Sequence, residues 1–189
     1  MRKLSVRPAI TFKGRKFKGL RGFAGKPFHP PLTDIPIGAY VIAAVLDVGS
    51  VIGGDKHAWS REMWHAATFV LIVGAIASVF TMLTGFIDWL RSSEPGTQAR
   101  RTANTHALIM LTVTALVIVD IALRLNSYHT SSSTPVGIMI LSIVIAAIVA
   151  VGATYGGSLV FDYGFNVETA GDSPVWHVSE TDVFPGDHS

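Results

Sequence analysis

Cysteine is absent from the 189 residues. That excludes disulfides, thiolate zinc sites, iron-sulfur clusters held by this chain and any cysteine nucleophile, because each needs a sulfur ligand or an attacking thiolate. Charge is scarce as well: Asp, Glu, Lys and Arg make up 15% of the chain, against roughly 25% in a soluble domain. There is no Gly-rich phosphate loop, no His-Glu-x-x-His and no Ser/His/Asp constellation, so no enzyme of group transfer is supported, and Gly156-Gly157 reads as a place of tight packing. What the chain has instead is apolar residues, 49% of the total. The few charges are unevenly spread. Residues 1–31 hold nine Lys/Arg and no Asp/Glu, whereas residues 162–189 hold six Asp/Glu and no Lys/Arg.

A membrane-spanning helix needs about 20 mainly apolar residues. Four stretches qualify, at about 35–54, 63–87, 103–123 and 136–161, joined by short polar links. Short links favour antiparallel neighbours. The expected fold is therefore an all-α membrane protein, an up-down four-transmembrane-helix bundle over residues 32–163. A basic arm (1–31) precedes it and an acidic tail (164–189) follows. The halves read as two hairpin repeats: Asp47 and Asp120 lie late in the first helix of each, and Ile87-Asp88-Trp89 and Phe161-Asp162-Tyr163 close the second. Twelve Lys/Arg precede the first span or lie between the second and third, and three (Lys56, Arg61, Arg124) lie at the other end. The positive-inside rule then places both termini in the cytoplasm. Residues 1–31 lack an apolar h-region, so the first span is expected to direct insertion itself.

In lipid, small residues that let backbones approach mark the packed face of a helix. Such stripes run through Ala39, Ala43, Asp47, Ser50 and Gly54 in the first span, through Ala67, Gly74, Ser78 and Gly85 in the second, and through Ala146, Ala150, Ala153 and Gly157 in the fourth. In the third, His106, Met110, Val113, Val117 and Asp120 share one face. Ionisable residues within a bilayer usually face the bundle interior and mark function. At about 1.5 Å per residue, Asp47, His65 and Asp120 form a candidate outer cluster, while His29, Asp34, Asp88, His106 and Asp162 gather at the cytoplasmic side. Asp120 with Arg124 and Asp88 with Arg91 also read as ordinary helix-end ion pairs. Asp47 has no local partner, which leaves a functional role and a bond to a neighbouring helix side by side. His57, His129, His177 and His188 read as solvated.

Bis-histidine haem ligation needs two imidazoles at one depth on facing helices, with both Nε2 atoms aimed at the iron. His65 and His106 fall in opposite leaflets. His29 and His106 share a depth, but His29 precedes Pro30-Pro31 and is expected to stand outside the regular helix.

The segments His29-Pro30, Leu32-Thr33-Asp34-Ile35-Pro36-Ile37-Gly38, Leu46-Asp47, Gly85-Phe86-Ile87-Asp88-Trp89, His106-Ala107 and Gly156 through Gly164 resemble a bacterial family of four-helix membrane proteins. That family is labelled a domain of unknown function and is often fused, on its C-terminal side, to a Rieske iron-sulfur domain. The resemblance spans roughly residues 20–167 and implies an inner-membrane location without an established activity. Pro174-Val175-Trp176-His177-Val178 and Asp182-Val183-Phe184-Pro185-Gly186 are similar to the opening of a Rieske domain, but the Cys ligands are missing, so no cluster belongs to this chain. Three functional readings follow. The first is a non-catalytic inner-membrane accessory subunit of a respiratory or other electron-transfer complex, holding a Rieske, cytochrome or other membrane subunit through its helix faces and arms. The second is a b-type haem or quinone-reactive carrier using His106 with His29 or His65. The third is a proton or ion pathway through Asp47 and Asp120. The basic arm is expected to bind anionic lipid, at about 1 kcal/mol per Lys/Arg near the surface, and not nucleic acid.

Overall fold

The computed structural model describes residues 19–20 and 27–167. The expectations for most of the basic arm, for the acidic tail beyond 167 with His177 and His188, and for the Rieske-like segment lie outside the described residues. Four helices follow one another: α1 (His29–Gly53), α2 (Ala58–Ser92), α3 (Gln98–Ser127) and α4 (Val136–Phe161). A short 3-10 turn, Gly54–Lys56, lies between α1 and α2.

All four are long and apolar enough to cross a membrane, and the all-α four-helix bundle expected from the sequence is the fold observed. The helices form a ring in which α1 packs on α2, α2 on α3, α3 on α4 and α4 on α1. The diagonal pairs α1/α3 and α2/α4 make no close backbone approach. One end of the ring carries the start of α1, the α2–α3 link and the end of α4; we call it the terminal end. The other carries the α1–α2 and α3–α4 links and is the hairpin end.

The core lies between these helices and is built from Ala39, Tyr40, Ala43, Ala67, Leu71, Val113, Val117, Ile145 and Val149. The outer surface is apolar too, with Ile52, Val45, Phe69, Leu108 and Phe161 among its exposed residues. In water so much exposed apolar surface marks an interaction face. Around a ring of spanning helices it is the face that meets lipid.

The helices outrun the spans read from hydropathy. The 35 residues of α2 extend about 52 Å, well beyond the ~30 Å hydrocarbon layer, because its polar ends continue the helix into the interface. His29 is a second difference, since it begins α1 instead of standing outside it. Pro30 and Pro31 fall in the first turn, where the missing N–H would have no helical partner in any case.

Pro36, deeper in α1, cannot donate to the carbonyl four residues back. That carbonyl, Leu32 O, is instead met by the Thr81 hydroxyl of α2 at 3.2 Å, so the break in the α1 ladder becomes a cross-helix tie. Thr81→Val preserves shape and removes the tie. Its expected cost is about 0.6 kcal/mol, the average for interhelical hydrogen bonds in membranes, read as a lowered midpoint in a reversible mixed-micelle unfolding titration.

Two of the three small-residue stripes turn inward, as does much of the α3 face. Ala39, Ala43, Asp47 and Ser50 of α1, and Ala67, Gly74 and Ser78 of α2, are buried, and Val113, Val117 and Asp120 line the inner face of α3. The α4 stripe is corrected. Its buried residues are Ile138, Ser142, Ile145, Val149, Gly152 and Leu159, while Ala150 is exposed. α4 is apolar on every side, so hydropathy gave its faces no contrast. In the observed rotation Ser142 faces inward, where its hydroxyl meets Arg124 and Asp47.

Candidate functional site

Two clusters occupy the bundle interior, one toward each end. Toward the hairpin end, Asp47 of α1 and Asp120 of α3 each sit about two turns before the end of their helix, and both close on Arg124. All three side chains are fully buried. Arg124 Nε donates to Asp120 Oδ1 at 2.9 Å, one turn back along α3. Its Nη1 and Nη2 form a fork on the Asp47 carboxylate across the bundle, with Nη1 at 3.1 Å from Oδ1. Nη2 also donates to Ser142 Oγ of α4 at 2.8 Å, and Ser142 in turn reaches Asp47 Oδ2 at 2.6 Å. Thr134 Oγ1 donates to Asp47 Oδ1 at 3.0 Å. The guanidinium carbon lies 5.1 Å from the Trp64 ring centroid of α2, within cation–π range.

Arg124 thus joins residues of all four helices, and the planar fork that only arginine offers makes the bidentate grip on Asp47. Next to it, Ser50 Oγ donates to Ser60 O at 2.7 Å and accepts from the Thr134 backbone N–H at 2.8 Å, so α1, α2 and the α3–α4 link are stitched at the same level. The Asp120–Arg124 pair read from the i,i+4 spacing is present, but as a buried core pair and not at a solvated helix end. Asp47, without a local partner in the sequence, finds one 77 positions away.

His65 does not join this cluster. Its ring stacks on Tyr128 at 4.3 Å, and Nε2 donates to Tyr128 O at 3.2 Å. It belongs to the hairpin-end surface, beside an open pocket lined by Asp55, His57, Arg61, Glu62 and Ser132.

Toward the terminal end, His29 and His106 are held in the same way. His29 Nδ1 lies 3.0 Å from Thr81 O of α2, and His106 Nδ1 lies 2.9 Å from Gly152 O of α4. A carbonyl can only accept, so each ring carries a proton on Nδ1, and in the neutral imidazole Nε2 is then the bare lone pair. Each imidazole also lies over a glycine one turn beyond its carbonyl partner. A Cβ at Gly85 would stand 2.7 Å from His29 Cε1, and one at Gly156 would stand 3.2 Å from His106 Cε1. The two rings lie on the diagonal helices α1 and α3.

The repeat noted in the sequence is therefore carried more closely by His29/Thr81/Gly85 and His106/Gly152/Gly156 than by the closing aspartates. Asp88 is buried and accepts from the Leu20 backbone N–H at 2.7 Å; Arg91, its expected partner, is exposed, and no described ion pair joins them. Asp162 is exposed, as is Asp34. Among the described residues no group of three or more His, Asp or Glu is placed to hold a metal ion. The α2–α3 link is pinned separately: Arg100 lies over the Trp89 ring at 3.6 Å and donates to Ser93 Oγ at 2.6 Å.

Comparison with known proteins adds one finding. The family described as "Predicted membrane protein (DUF2231)" matches residues 25–169, the whole bundle with its two clusters. No curated protein and no solved structure matches.

Proposed function

The chain belongs to the DUF2231 family of predicted membrane proteins, and we propose that it serves as a non-catalytic inner-membrane subunit of an electron-transfer assembly. One observation supports this reading: among the described residues the interior polar groups toward the two ends are a closed ionic cluster and a pair of anchored imidazoles. Every carboxylate oxygen of Asp47 and Asp120 already faces a donor from Arg124, Ser142 or Thr134. Such a saturated cluster favours a structural pin over a route for protons or ions. The resemblance to relatives fused to Rieske domains points the same way, with the redox centre of the assembly on another polypeptide, a Rieske or cytochrome subunit.

Orientation follows from charge. With Arg124 inside the bundle, Lys56 and Arg61 remain by the α1–α2 link, against twelve Lys/Arg that precede α1 or flank the α2–α3 link in the sequence. By the positive-inside rule that bias favours termini in the cytoplasm, with the basic arm available to anionic lipid and partner subunits.

Removing residues 1–18, which spares the Leu20–Asp88 tie, is expected to release a partner subunit from gently extracted material while the bundle stays folded. The reading falls if every co-purifying protein remains bound.

A further inference from the structure

The geometry points to a haem site in the terminal half of the bundle, in which His29 and His106 supply the two axial nitrogens through Nε2 to the iron of one protoporphyrin. This rests on the electron-transfer reading and gives it a centre within this chain.

The first support is the state of the two rings. An imidazole that ligates iron needs a free Nε2 and a fixed orientation, and the usual device is an Nδ1–H donated to a backbone carbonyl. His29 and His106 both have this arrangement, on Thr81 O and Gly152 O. Among the described residues nothing bonds either Nε2. His65 is the internal contrast: its Nε2 is spent on Tyr128 O.

The second support is placement. α1 and α3 stand diagonally with no close backbone approach, and Asp47 and Arg124 show that side chains of these two helices meet across the ring. Ligands of cofactors in four-helix bundles project inward from facing helices in this manner. Two protein ligands are too few for a bare ion, in keeping with the lack of a larger cluster, but they complete the coordination of an iron that already has four porphyrin nitrogens.

The third support is what lines the interior at this level. The bulky core residues Tyr40, Leu71, Val113, Val117, Ile145 and Val149 fill the middle of the bundle. Toward the terminal end most buried positions are small, among them Thr81, Thr84, Thr102, Ala103 and Gly152, beside Asp88 and Leu159. The two glycines under the rings extend this pattern, because any side chain at Gly85 or Gly156 would push its imidazole away. One electron from an iron-sulfur or cytochrome centre of a partner subunit converts ferric to ferrous haem, and the reverse step passes it on. No bond is made or broken and no proton is required.

The test is a visible spectrum of the full-length chain, purified in mild detergent from haem-replete cells and also titrated with haemin. A six-coordinate low-spin spectrum is expected, with a sharpened α band on dithionite reduction and one haem per chain. His29→Ala and His106→Ala should each abolish the six-coordinate form, while His65→Ala should leave it unchanged. His106→Gly should recover it on addition of imidazole, provided elution volume and helical circular dichroism match the parent. A parent chain whose Soret band does not respond to haemin overturns the site, and so does a six-coordinate spectrum that survives both substitutions. Co-purifying subunits are identified in the same sample. Partners without a haem band remove the site and leave the assembly, and a haem band on a lone monomer does the opposite.

Discussion

Arg124→Met is expected to destabilise the bundle by about 3–5 kcal/mol, the usual consequence of removing one partner from a buried ion pair. The reason lies in charge arithmetic. Arg124 stands between two carboxylates that are fully buried, and without it Asp47 and Asp120 face each other across Ser142 with no cation nearby. Removing one carboxylate instead leaves a neutral pair, so Asp47→Asn and Asp120→Asn should each cost far less than Arg124→Met. The triple variant Arg124→Met, Asp47→Leu, Asp120→Leu should regain most of the lost stability, since apolar residues of similar volume often replace a buried ionic network without loss. Reversible unfolding in mixed micelles reads all four. An Arg124→Met midpoint equal to that of the parent would show that the cluster is not what closes the ring.

Gly74→Leu is expected to be the most damaging single change on the helix faces. α1 and α2 approach so closely here that even a Cβ at Gly74 would stand 2.6 Å from Ala39 Cβ and 3.0 Å from Tyr40 Cε1. Overpacking of a filled interior typically costs 1–3 kcal/mol, and a full leucine on a seam held by small residues falls at the upper end, about 3 kcal/mol. Gly38→Leu and Gly137→Leu are the controls: both positions look into open space, and there the gain in helix propensity, about 1 kcal/mol over glycine, should leave stability equal or higher. Equal damage at all three glycines would mean that propensity, and not the close α1–α2 approach, governs the effect.

Hydropathy made the spans and the hairpin order readable because a bilayer imposes a length and an apolar composition on each helix. The rotation of α4 was missed, since a helix apolar on nearly all sides carries no periodic signal. The meeting of Asp47 with Asp120 was legible from depth and from the small-residue stripe of α1. Arg124 was not, because it follows the apolar run of α3 and reads as a charge at the bilayer edge; its spacing of four from Asp120 was the signal that it continues the helix inward. His29 was misplaced through its two prolines, which look like a helix stop and are in fact tolerated in the first turn. His65 shared a depth with the aspartates, but depth says nothing of azimuth, and its ring turns to Tyr128. The carbonyl anchors of His29 and His106 were beyond the sequence altogether, because a backbone acceptor leaves no mark in residue type.

The most direct test of the membrane-subunit account is the size and composition of the intact chain extracted from its own membranes in a gentle detergent. The account predicts migration well above the mass of a 20.2 kDa monomer, together with subunits that carry redox centres. A lone chain with no redox-active companion and no centre of its own would contradict it.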